Sequence, residues 1–134
     1  MLQQYHRTPF IIDGVNGGFT EVTGLIRVDH EHLVLEFQSA DAILGIVKSD
    51  LKTKKIPFTA IRRLDFKKGW FSAKLTLQTN SMSDLDGIPG ANSGSVVFRI
   101  KKAHRQEAIE LNSYFQMEFS EHRIRQLDQQ SETL

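Results

Sequence analysis

Apolar and polar residues alternate with a period of two along much of the chain. From residue 19, Val22, Ile26 and Val28 fall on one face of an extended segment, while Glu21, Arg27 and Asp29 fall on the other. Leu33, Leu35 and Phe37 repeat the pattern with Glu36 opposite, and the polar run Asp29-His30-Glu31-His32 between them predicts a hairpin turn. Gly24 interrupts the first of these strands, which predicts a bulge or the close approach of another backbone. Ahead of them, Pro9, Gly14, Gly17 and Gly18 surround the apolar trio Phe10, Ile11 and Ile12. That pattern predicts a lead-in arm over residues 1–18, with at most one short strand before a glycine turn.

The apolar run 42–47 reads as a short strand, with a helical turn as the alternative. Segments 54–59 and 60–68 read as two extended runs, the first placed at a sheet edge by Pro57 and the second ended by Gly69. Residues 71–79 alternate most cleanly of all, with Phe71, Ala73, Leu75 and Leu77 on one face. The stretch 80–94 is rich in Ser, Gly, Asn and Asp and contains Pro89, so it predicts a long mobile loop. Val96, Phe98 and Ile100 then mark a last strand. After it the spacing changes to three and four at Ala108, Leu111, Phe115 and Phe119, which predicts an amphipathic helix from about residue 103 to 119 or beyond. Residues 120–134 are mostly polar and read as an extension of that helix or a tail. The expected organisation is thus an arm (1–18), one domain (19–119) and a polar C-terminal segment (120–134).

Composition narrows this further. The chain has 134 residues, of which 40% are apolar and 25% charged, enough for one packed core. Seventeen Lys and Arg against sixteen Asp and Glu leave a net charge of +1, so no nucleic-acid partner is expected. The absence of Cys excludes disulfides, thiolate metal sites and cysteine nucleophiles. With no signal-like leader and no apolar run near 18 residues, no transmembrane segment is expected, and the expected location is the cytoplasm, free or peripheral to a membrane.

Six or seven strands followed by one amphipathic helix predict a mostly β fold, a bent antiparallel sheet or barrel capped by a C-terminal α-helix. The residues Lys55-Ile56-Pro57-Phe58-Thr59-Ala60-Ile61, then Leu64-Asp65-Phe66-Lys67-Lys68-Gly69, Leu75-Thr76-Leu77 and Val97-Phe98-Arg99-Ile100-Lys101 before the helix at Glu107-Ala108 carry a resemblance. Over about residues 19–119 the chain resembles the bacterial branch of pleckstrin-homology-like and GRAM-like domains. The resemblance implies a non-enzymatic module that binds lipid head groups, peptides or other proteins. In that family the phosphoinositide site draws on basic residues of the first hairpin, where this sequence instead carries Asp29-His30-Glu31-His32.

Nine basic residues against only Asp50 and Asp65 lie between Lys48 and Lys74. Lys52, Lys54, Lys55, Arg62, Arg63, Lys67 and Lys68, together with Trp70, are the candidate contacts for an anionic partner, because clustered cations beside an aromatic suit such a surface. The plainer alternatives are that strand alternation splits the cluster, that lysines protect an edge strand, and that Trp70 folds back onto the core. His30 and His32 have a metal-like spacing without a third ligand nearby. Asp84-Leu85-Asp86-Gly87 resembles a calcium loop only at its start, since Ser93 stands where the closing Glu belongs. No nucleophile-base pair and no Gly-rich phosphate loop can be assembled, so no catalytic residue, cofactor or metal is assigned. The expected function is a non-catalytic binding module for protein partners or for self-association. An anionic lipid surface is the first alternative, and a small ligand-binding or hydrolytic barrel the second.

Overall fold

A computed structural model of the chain describes residues 6–47 and 49–132; the first five residues of the expected arm, Lys48 of the basic cluster and the last two residues lie outside the described residues. Seven strands form one antiparallel sheet in the order β4-β3-β2-β1-β7-β6-β5. They are β1 (His6–Val15), β2 (Thr20–Val28), β3 (His32–Asp41), β4 (Lys52–Pro57), β5 (Ile61–Lys68), β6 (Ser72–Thr79) and β7 (Ser95–Lys101), and a single α-helix, α1 (Arg105–Glu132), follows. The fold is mostly β with a C-terminal helix, as the periodicity predicts.

The expected arm turns out to be the sheet's central strand. β1 pairs with β2 from His6↔Val28 to Val15↔Thr20 and with β7 at Ile11↔Arg99, and Phe10 and Ile12 enter the core. Pro9 and the glycines hid it because the apolar trio is too short to show alternation. All seven strands and α1 feed one contiguous cluster, with Ile26, Leu35, Ile56, Leu64, Leu75 and Phe98 from six strands all fully buried. One face of a single sheet can enclose one core only if the sheet curls over on itself.

The helix stripe Ala108, Leu111, Phe115 and Phe119 is buried against that face. Ring stacking of His6 on Tyr114 at 4.1 Å ties it to β1, and the Gln116 amide donates to the Leu64 carbonyl of β5 at 2.7 Å. That bond occupies part of the free edge of β5. The other free edge, β4, carries Lys52, Lys54 and Lys55, which disfavour strand addition by desolvation and repulsion.

Two further segments depart from expectation. Residues 80–94 are ordered: a 3-10 turn at Met82–Leu85 is closed by a capping box in which the Ser83 N–H bonds Ser81 Oγ and the Ser81 N–H bonds Asp84 Oδ2. Leu85 and Ile88 from this segment are buried in the core, and Thr79 donates its hydroxyl to the Ser81 carbonyl at its base. Polar composition concealed two anchors that periodicity cannot detect. Residues 42–47 form a turn instead of a strand, with a single bridge pairing Val47 to Ala40 of the sheet.

Candidate functional site

The Asp29–Glu31 turn has a structural role. Asp29 Oδ1 accepts the N–H groups of Glu31 (2.8 Å) and His32 (2.6 Å), an arrangement that closes the hairpin. His30 turns to the buried Glu118 of α1 at 3.4 Å, whereas His32 faces Asp29 at 3.6 Å, so the two imidazoles do not converge. Burial pushes the Asp29 carboxyl up, but the two N–H donors, with His32 and Arg27 nearby, outweigh it and hold the group below the ordinary value. A depressed carboxyl contributes stability that is present above its unfolded value of about 3.9 and is lost as pH falls through the folded value. Asp29→Ala should therefore cost about 1 kcal/mol at pH 7 and lose less on acidification from pH 5 to 3 than the native chain does. Urea melts at the two pH values test this; equal acid sensitivity of both proteins would contradict it.

The candidate cations do not form one patch. On β4, Lys52 and Lys54 share the face of buried Ile56, while Lys55 projects from the opposite face, in register with Val34 and Arg27. Val34 is fully buried although it lies on the outer face, so the stems of Arg27 and Lys55 have an apolar surface to cover. Arg62 sits in a register irregularity near the start of β5, and Arg63 pairs with Asp65 at 3.0 Å.

Lys67, Lys68 and Trp70 are gathered at the β5–β6 turn. The Gly69 N–H donates to the Ser72 carbonyl at 2.9 Å, and Arg105 of α1 donates to the Gly69 carbonyl at 2.8 Å. A Cβ at Gly69 would come within 2.6 Å of the Ser72 oxygen, so only glycine permits this closure. The turn carries Trp70 and Phe71 outward, 90% and 88% exposed, and Trp70 does not fold back onto the core. Register adds cations that sequence distance had separated: Lys67 lies opposite Lys74, and Ser72 lies opposite Lys101, with Lys102 next in the chain.

A second exposed apolar element is the β3–β4 loop. Ile43 is 80% and Leu44 70% exposed, and Ile46, Val47 and Leu51 are exposed as well. This outward display is built in by the backbone. Asp41 Oδ1 accepts the N–H groups of Ile43 (2.9 Å) and Leu44 (2.8 Å), the Asp41 N–H donates to the Ile46 carbonyl at 2.8 Å, and the Ala42 N–H donates to the Phe19 carbonyl at 3.1 Å. Phe19, in the adjoining β1–β2 turn, is also exposed and extends the surface. The sequence signal was the uncharged run 42–47 between Asp41 and Lys48, with Gly45 within it, which reads equally well as a buried strand.

Asp84 is taken up by the capping box described above, and among the described residues no group of three or more His, Asp or Glu side chains is placed to hold a metal ion. No helix among them is long and apolar enough to cross a membrane. The chain matches no protein-family model, and no curated protein or solved structure is detectably similar to it.

Proposed function

We propose that this chain is a non-catalytic binding module on a pleckstrin-homology-like plan, and that it docks a protein partner through the β3–β4 loop. The observation that carries the proposal is the pinned outward display of Ile43, Leu44, Ile46 and Val47. Scattered exposed apolar residues are ordinary, but a contiguous aliphatic tip continued by Phe19 is the kind of surface that marks an interaction site. Strand order and the capping helix support the pleckstrin-homology-like plan. Within residues 41–52 the charges of Asp41 and Asp50 offset those of Lys48 and Lys52, so the loop offers no cationic field to an anionic bilayer. An apolar pocket on a protein suits it better. The lysines of β4 direct any such contact to the loop and away from strand addition along the edge.

The test is a photo-crosslinking amino acid at position 44, with a control at exposed position 106 on α1. A discrete protein adduct from position 44 only, whether with a second copy or with another chain, is expected. Lipid adducts alone, or the same diffuse adducts from both positions, would remove the basis for protein docking. Ile43→Ser with Ile46→Ser should abolish the adduct while leaving the thermal midpoint nearly unchanged, because neither side chain enters the core.

A further inference from the structure

We propose that the β5–β6 turn is a second, independent docking surface, and that its partner is an anionic lipid bilayer contacted through Trp70 and Phe71 within a ring of lysines. The two aromatics occupy the tip, and both are almost fully exposed. Around them stand Lys67 and Lys68 from β5, Lys74 from β6, and Lys101 and Lys102 at the end of β7, all exposed. Adjacent strands lie about 4.8 Å apart, so residues on three neighbouring strands span only about 10 Å, roughly one Debye length at physiological salt.

None of the five lysines has a carboxylate within ion-pair distance among the described residues. Three acids of this half of the fold are committed elsewhere: Asp65 to Arg63, Asp13 to Arg99 at 2.6 Å, and Glu107 to His104 at 3.3 Å. Edge protection accounts for the lysines of β4, but it cannot account for Lys74 and Lys101, because β6 and β7 are interior strands. Lys67 directly opposite Lys74 is a like-charged cross-strand pair, which costs stability. An anionic surface would turn that cost into affinity.

Charge and aromatic placement together select the bilayer. Trp and Phe at the tip of a rigid hairpin suit the boundary between head groups and acyl chains, where an apolar ring is buried and the lysine stems reach back to phosphates. The five lysines are exposed and spread over three strands and the residue after β7, an arrangement that offers surface charge more than a pocket fitted to one head group. Binding should therefore follow surface charge density and should not distinguish anionic lipids at equal charge.

Trp70 is the only tryptophan in the chain, so its emission reports directly on this turn. The experiment adds unilamellar vesicles of phosphatidylcholine alone, or with 30% phosphatidylserine or 30% phosphatidylglycerol, to the full chain and follows Trp70 emission and co-sedimentation. Expected are a blue shift and pelleting with both anionic compositions alike, neither with the neutral one, and loss of both as salt rises. Each lysine facing the surface is worth roughly a fivefold change in affinity, so Lys67→Glu with Lys74→Glu should weaken binding by at least about 20-fold. Phe71→Ser, which keeps the reporter, should weaken it too and reduce the blue shift. Equal binding of neutral vesicles, pelleting without a change in Trp70 emission, native-like binding by the double lysine variant, or no binding at low salt would each overturn the proposal. The last result is what an acidic protein partner at this turn would give. Changes at Ile43 and Ile46 should leave vesicle binding intact, so this surface and the β3–β4 loop can fail separately.

Discussion

Phe58→Ala should lower the stability of the protein by about 3 to 5 kcal/mol, a loss equivalent to roughly 10 to 20 °C in thermal midpoint for a chain of this size. Phe58 occupies the short connection between β4 and β5, the two strands that end the sheet order without pairing to each other. Its ring meets Phe115 edge-on at 5.4 Å and Phe119 at 5.9 Å, with the His122 ring at 5.7 Å, while its N–H donates to the Glu31 carbonyl at 2.9 Å. One side chain therefore links the sheet's open seam to the helix that covers it. Alanine would leave a cavity lined by two phenylalanines that are themselves stacked at 5.1 Å and cannot collapse into it without separating. Urea denaturation followed by far-UV circular dichroism measures the loss. A double-mutant cycle with Phe115→Ala should show coupling above about 0.5 kcal/mol, whereas simple additivity would mean that the helix is not held through this contact.

Gly24→Ala is expected to be as damaging, at about 3 kcal/mol or more, although it adds only one methyl group. Gly24 lies in β2 between Phe10 of β1 and Phe37 of β3, and the pairing continues through it without a register shift. An added Cβ would overlap the backbone oxygen of Glu36 and lie 2.9 Å from Cα of Phe37. Backbone in the middle of a three-strand pairing cannot yield as a flexible side chain could. Of the two readings that the sequence allowed, bulge or close approach, the close approach is the one found. Recovery of native melting behaviour by Gly24→Ala, or even by Gly24→Ser, would show that β2 and β3 separate more easily than their continuous register implies.

Local order was legible wherever it depended on period alone. Val22, Ile26 and Val28, then Leu33, Leu35 and Phe37, then Ala73, Leu75 and Leu77 all face the core as their alternation requires, and Ala108, Leu111, Phe115 and Phe119 do so along the helix, whereas Phe71, expected on the face of Ala73, lies ahead of β6 in the turn and is exposed. These patterns follow from the geometry of strand and helix, which places residues two apart or three to four apart on one face whatever the rest of the chain does.

Other features depend on what lies across from a residue. The 42–47 run has the composition of a buried strand, yet it points outward because Asp41 spends its carboxylate on the backbone of Ile43 and Leu44. The run of basic residues from Lys52 to Lys68 looked like one cluster, but pairing sends its two halves to opposite ends of the sheet order and leaves Lys52, Lys54 and Lys55 guarding an edge. The same pairing brings Lys101 beside the β5–β6 turn from thirty residues farther along the chain.

By itself, then, the sequence determined most of the strands and the helix, the inward faces of the clearly alternating ones and the mostly β class with a terminal helix, since each follows from backbone periodicity and side-chain polarity within a dozen residues. Tertiary structure alone decided that β1 is central, which glycine is pressed against a neighbouring backbone, and which exposed side chains stand together. Those are consequences of strand register and of the sheet closing around one core, and neither is encoded in the spacing of any single segment.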